Sequence, residues 1–184
     1  MNYRKLVGEK VYLSPVCPDD WETFAKWSTD FEMQHLYGGG GDIRPPATDA
    51  SGTEVTSRNK NKFAIVCKET DRVIGECGFN IDDIENRYAK IGIGIGEREY
   101  WSQGYGADAL RVMLDFGFRI RGYNNISLNV FDYNQRAIAC YEKVGFKRQG
   151  VWRECMIRGE KRYDCFHYDF LAEEYFAGVA HRAE

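Results

Sequence analysis

Between positions 101 and 107 the chain reads Trp-Ser-Gln-Gly-Tyr-Gly-Ala, with no acidic side chain until Asp108. A glycine-rich turn that opens a helix bares several backbone N–H groups and adds the positive end of the helix dipole, which suits an anion such as a pyrophosphate. Glycine also lets that anion approach the main chain. Further on, Asn134 and Tyr141 stand in the run Asn-Gln-Arg-Ala-Ile-Ala-Cys-Tyr-Glu-Lys-Val-Gly-Phe, which has helical spacing and a glycine stop at Gly145. An Asn at a helix start is an ordinary N-cap and also a hydrogen-bonding group for a ligand. A helical tyrosine packs its ring and wets its hydroxyl, or offers that hydroxyl as a proton donor.

Gly92, Gly94 and Gly96 alternate with Ile91, Ile93 and Ile95. The two-residue period of a strand puts every glycine on one face, which suits either a ligand groove or a bulky neighbour packed onto that face. Glu76 alternates with Ile74 and Gly78 on a neighbouring strand and is a candidate general base, with a chain of waters as the other source of base. Gly104, Gly106 and Ala109, with Asp132 beyond, also fit a dinucleotide fingerprint, which would make an oxidoreductase. Against this, the mostly polar stretch 97–103 separates the preceding strand from the glycines, and too few strand–helix pairs remain for a doubly wound fold.

These residues need elements to hold them. Lys10–Val16 alternates as a strand, and Pro18, Asp19 and Asp20 begin a helix through Trp21, Phe24, Ala25 and Trp27. Residues 37–61 carry four consecutive glycines and two prolines and read as a long functional loop. Strands follow at 62–68 and 72–81, turning at Glu69–Asp71, and a third at 88–96 completes a meander. A helix at 104–122 presents Ala107, Leu110, Leu114 and Phe118 on one stripe; then come a strand at 126–131, the Asn134 helix, and strands at 151–157 and 161–171. The class is α+β, with a mixed central sheet of about seven strands flanked by helices, in one domain of 1–184 with a core of about 10–171.

Composition narrows the function. The 184 residues carry a net charge of −3, which gives no basic surface for a nucleic-acid backbone. The longest apolar runs fall short of a membrane span, and residues 1–9 are polar, unlike a secretory leader. The six cysteines include no paired CxxC spacing, which points to reduced thiols in the cytoplasm and to no metal site.

Taken together, Trp101–Ala107, Asn134–Phe146 and the order of elements resemble the GNAT superfamily of acetyltransferases, especially the branch of ribosomal-protein N-terminal and spermidine acetyltransferases. The resemblance implies that acetyl-CoA is the co-substrate and that Trp101, Ser102, Gln103, Gly104, Tyr105, Gly106 and Ala107 cradle its pyrophosphate, with Asn134 and Tyr141 facing the coenzyme. It further implies that the pantetheine arm lies between strands 88–96 and 126–131, with the amides near Ile93 and Ile95 polarising the acetyl carbonyl. Tyr141 is then the acid that protonates the departing thiolate, and the acceptor is a small-molecule amine or a protein amino terminus, whose identity is expected to rest with loop 37–61, a segment that matches nothing in the family. The link Gly96–Tyr100 is a residue longer than the family pattern, and a homodimer is the assembly the resemblance favours. A non-catalytic acyl-CoA binding module would keep the cradle without an acceptor site.

Overall fold

The computed structural model describes residues 6–38 and 61–180, so positions 39–60 of the inferred acceptor loop lie outside the described residues. The elements are β1 (Leu6–Val7), β2 (Val11–Pro15), α1 (Trp21–Ser28), α2 (Phe31–Leu36), β3 (Lys62–Cys67), β4 (Val73–Asp83), β5 (Tyr88–Ile95), α3 (Tyr105–Asp115), β6 (Asn125–Phe131), α4 (Gln135–Val144), β7 (Lys147–Arg158), β8 (Lys161–Leu171) and α5 (Ala172–Ala180). The described strands form one eight-stranded sheet in the order β1-β2-β3-β4-β5-β6-β8-β7, an α+β architecture with one more strand than the alternation predicts. The extra strand is β1, whose two residues are too few to show a period.

β5 and β6 pair in parallel, while β4 and β5 are joined by too short a turn to be anything but antiparallel, and the remaining pairs are antiparallel. One parallel pair is not the mainly parallel sheet of a doubly wound dinucleotide fold. Two further helices add to the sequence picture: α2, capped by Asp30 accepting from the Met33 amide at 3.0 Å, and α5, which follows β8 directly. The long helix after the glycine loop begins at Tyr105 and ends in a wider π turn over Phe116–Ile120.

By its contacts the chain divides into two compact units, Met1–Gly78 with Gly92–Val112, and Phe79–Ile91 with Met113–Glu184. In the first, Tyr12, Phe24, Trp27, Ala64 and Val66 form a buried cluster of α1 against β2 and β3. In the second, β6 alternates strictly, with Ile126, Leu128 and Val130 buried and the residues between them half-buried. Their buried side packs on Gly117, and Phe118 meets the Phe170 ring edge-on at 6.0 Å.

At Gly94 and Gly96 the glycine face is covered rather than bare. A Cβ on Gly94 would fall inside the Tyr37 phenol, and one on Gly96 inside the Trp27 indole. Of the two roles open for these glycines, close packing by aromatic neighbours is the one these two positions serve. Gly96→Ala is therefore expected to destabilise the fold by about 1–3 kcal/mol, the usual range for overpacking, read as a lower urea midpoint at unchanged slope.

Candidate functional site

The glycine loop is built within the first unit. The first intrahelical bond of α3 runs from the Asp108 amide to the Gly104 carbonyl at 3.0 Å. Gly104 is thus the N-cap, and the amides of Tyr105, Gly106 and Ala107 have no acceptor inside the helix. Gly104 has φ +88°, and a Cβ there would meet nothing within 4 Å, so the position needs glycine for its backbone and leaves open space above it. Ser102 has φ +58°, an uncommon conformation for a residue with a side chain. Ser102, Gln103 and Gly104 are exposed, while Ala107 is buried.

The loop is pinned from both ends. The Trp101 indole N–H donates to the Ile95 carbonyl at 2.7 Å, and the Gln103 amide donates to the Glu99 carbonyl. The Tyr100 ring meets Tyr105 edge-on at 5.0 Å. Before the loop, the Gly96 and Glu97 amides both donate to the Ile74 carbonyl, at 2.8 and 3.2 Å, so two residues just past the end of β5 face one of β4. Beyond that doubled pairing, Glu97 accepts from the Trp27 indole at 3.1 Å and from Lys26 at 3.0 Å. Burial alone would raise Glu97, but those two donors hold its carboxyl below the ordinary range.

Asp108 is the residue that sequence reasoning missed. An acid in the first turns of an anion-binding helix would repel the anion, yet this one is 5% exposed and turned into the β1–β2 turn. There it accepts from the backbone amides of Glu9 at 3.1 Å, Lys10 at 2.8 Å and Val11 at 3.0 Å. Gly8 makes room, since a Cβ there would collide with the carboxylate. Lys10 then sends its ammonium back to the Gln103 carbonyl at 2.9 Å and over the Tyr105 ring at 5.2 Å, which sets a positive charge beside the loop. Only Gly8 and the lone acid in an otherwise uncharged stretch hinted at this arrangement. Asp108→Ala should strip acceptors from three amides and lower stability by about 3 kcal/mol, measured by denaturant unfolding.

In the second unit, Asn134 caps α4, its side chain accepting from the Ala137 amide at 3.2 Å. Tyr141 is buried, its ring edge-on to Phe146 at 6.1 Å, and its carbonyl accepts from Gly145 and Phe146 at 3.1 Å where the helix closes. Burial pushes its hydroxyl well above the usual phenol value. The parallel ladder of β5 with β6 covers Tyr88, Ala89 and Lys90 and includes neither Ile93 nor Ile95. Glu76 is held by Lys62 at 2.7 Å, which leaves it engaged as an ion pair. Among the described residues no cluster of three or more His, Cys, Asp or Glu could hold a metal, and no helix is long and apolar enough to cross a membrane.

The chain is 35% identical over 115 residues to the uncharacterised N-acetyltransferase p20 of Bacillus licheniformis, an alignment that spans 62% of this chain and 64% of that protein. It is 24% identical over 160 residues to the uncharacterised N-acetyltransferase YnaD of Bacillus subtilis (strain 168), spanning 85% and 90%. Its fold is similar to the spermidine N-acetyltransferase of Vibrio cholerae solved with CoA and spermine, at a TM-score of 0.80 and 18% identity over 91% of this chain and 98% of that one. It is likewise similar to a GNAT-family acetyltransferase of Bacillus anthracis, at 0.77 and 19% over 92% and 99%. The family model described as an acetyltransferase (GNAT) domain matches residues 10–147, well over half of the sequence, and this chain belongs to that family.

Proposed function

We propose that this chain is an acetyl-CoA dependent N-acetyltransferase that moves an acetyl group to a primary amine by direct attack in a ternary complex. The observation that carries the proposal is the start of α3, where the amides of Tyr105, Gly106 and Ala107 lie without intrahelical acceptors and the nearby Asp108 is turned into the β1–β2 turn, where it accepts from three backbone amides. That is an anion site with the acid of its own helix directed elsewhere. Trp101 to Ala107 would hold the pyrophosphate, Asn134 the pantetheine arm, and the amides near Ile93 and Ile95 the acetyl carbonyl, all three following the family resemblance. Acetyl-CoA supplies the acetyl group as a thioester.

The chain's own share of the chemistry follows from charge. As a neutral amine attacks, negative charge grows on the carbonyl oxygen, and backbone N–H groups aimed at it lower the barrier. As the carbon–sulfur bond breaks, the electron pair stays on sulfur and Tyr141 gives that sulfur its proton. The apolar surroundings that raise the Tyr141 hydroxyl raise the proton affinity of the thiolate as well, since both acids ionise to anions. The proton lost by the attacking nitrogen leaves through a chain of waters, with Glu76, part-exposed and paired with Lys62 at 2.7 Å, as the other candidate base. We place the reaction in the cytoplasm, in a single domain of 1–184, and the Vibrio cholerae relative makes small amines the first acceptors to assay.

Calorimetry with CoA and acetyl-CoA, joined to a thiol-release assay over a panel of amines, tests this reading. Saturable heat and amine-dependent thiol release are expected. Binding without turnover on any amine would instead favour an acyl-CoA binding module.

A further inference from the structure

On β6 the side opposite Ile126, Leu128 and Val130 carries Asn125, Ser127 and Asn129, and the register sets His167 of β8 beside Asn129 and Lys90 of β5 beside Ser127. The helical elements of this unit pack on the other side, through Gly117, Phe118 and the Tyr168–Glu142 bond of 2.7 Å. The Asn129 amide satisfies its neighbours in one orientation, its oxygen accepting from Lys90 Nζ at 2.9 Å and its nitrogen donating to His167 Nδ1 at 3.0 Å. With Nδ1 accepting, the neutral ring carries its hydrogen on Nε2, so His167 is a hydrogen-bond donor there. The Trp152 indole stacks on His167 at 6.3 Å and 23°, and is 63% exposed.

Lys90 is half-buried, yet among the described residues no carboxylate pairs with it. An ammonium group with N–H donors to spare, an imidazole Nε2–H donor and an open indole face together call for a carboxylate next to a planar group. Asp169 stands across from Ser127 on the same face, where its carboxylate accepts from the Asn125 amide at 3.1 Å, and a polyamine would meet like charge at Lys90.

We infer that Lys90, Asn129, His167 and Trp152 recognise the carboxylate and adjoining planar group of the acceptor, which makes that acceptor an amino-acid-like amine. This rests on the acetyltransferase reading and adds to it the class of acceptor. Asn129 positions Lys90 and His167; Lys90 and His167 hold the oxygens; Trp152 carries the planar part.

The test compares L-phenylalanine with phenethylamine, which differ by the carboxylate, and with spermidine, in the thiol-release assay. Phenylalanine should be turned over with the highest kcat/KM. Lys90→Met should raise its KM about 10-fold or more, the scale of one lost charge-assisted hydrogen bond, with the KM of phenethylamine unchanged and Lys90→Arg largely restoring the preference. Calorimetry of N-acetylphenylalanine, the carboxylate-bearing product, should show the same dependence on Lys90 without any turnover. Equal KM for wild type and Lys90→Met, or a preference for spermidine, overturns the inference. If no amine is turned over but N-acetylphenylalanine binding still depends on Lys90, the acetyltransferase reading fails and the carboxylate site stands.

Discussion

Tyr141→Phe is expected to lower kcat by about 10²-fold while acetyl-CoA affinity stays within a few-fold of wild type, the behaviour of an enzyme that has lost its general acid. Stability should not fall with it. Tyr141 is buried with its ring against Phe146, packing that a phenylalanine keeps. Retained melting temperature with lost turnover therefore separates chemistry from folding. The pH profile adds a second check. A raised hydroxyl stays protonated beyond the ordinary phenol value of about 10, so any alkaline limb due to Tyr141 must lie above that pH. Turnover unchanged in the phenylalanine variant would remove Tyr141 from the mechanism.

Gly106→Glu should abolish measurable binding of CoA and acetyl-CoA. Gly106 is the second residue of α3, where a carboxylate is compatible with the helix dipole, and the substitution puts a negative charge where the phosphates approach. Thermal unfolding should stay close to wild type, and calorimetry should lose its signal. Tight binding by this variant would disprove the assignment of Trp101–Ala107 as the cradle, whatever the enzyme acetylates. A control at Asp108 points the opposite way: Asp108→Ala weakens the fold by freeing the Glu9, Lys10 and Val11 amides.

Much of this architecture is visible in the local pattern. The alternation from Lys62 onward, the stripe of Ala107, Leu110, Leu114 and Phe118, and the Asn134–Gly145 helix all correspond to elements close to the predicted ranges. Burial of one face and the caps at each end act over a few residues, so composition and spacing encode them directly. The Asn134 cap, the Gly104 turn and the Gly145 stop are readable for the same reason. β1 and α2 were not, because two and six residues are too short for a period to declare itself, and β7 begins at Lys147 rather than Val151 because its first residues are exposed and follow no alternation.

What the sequence by itself determined is the set of groups that can do chemistry and the strands and helices that carry them: a glycine turn opening a helix, a tyrosine on an amphipathic helix, a strand with one glycine face. What the tertiary structure decided is which of those groups have other partners. Trp27 and Tyr37 fill the space over Gly96 and Gly94, Lys62 occupies Glu76, and the β1–β2 turn takes Asp108 out of the helix mouth from nearly a hundred positions away in the chain. Periodicity describes neighbours in sequence, whereas burial, pairing and charge neutralisation are set by neighbours in space, and only the folded chain brings these together.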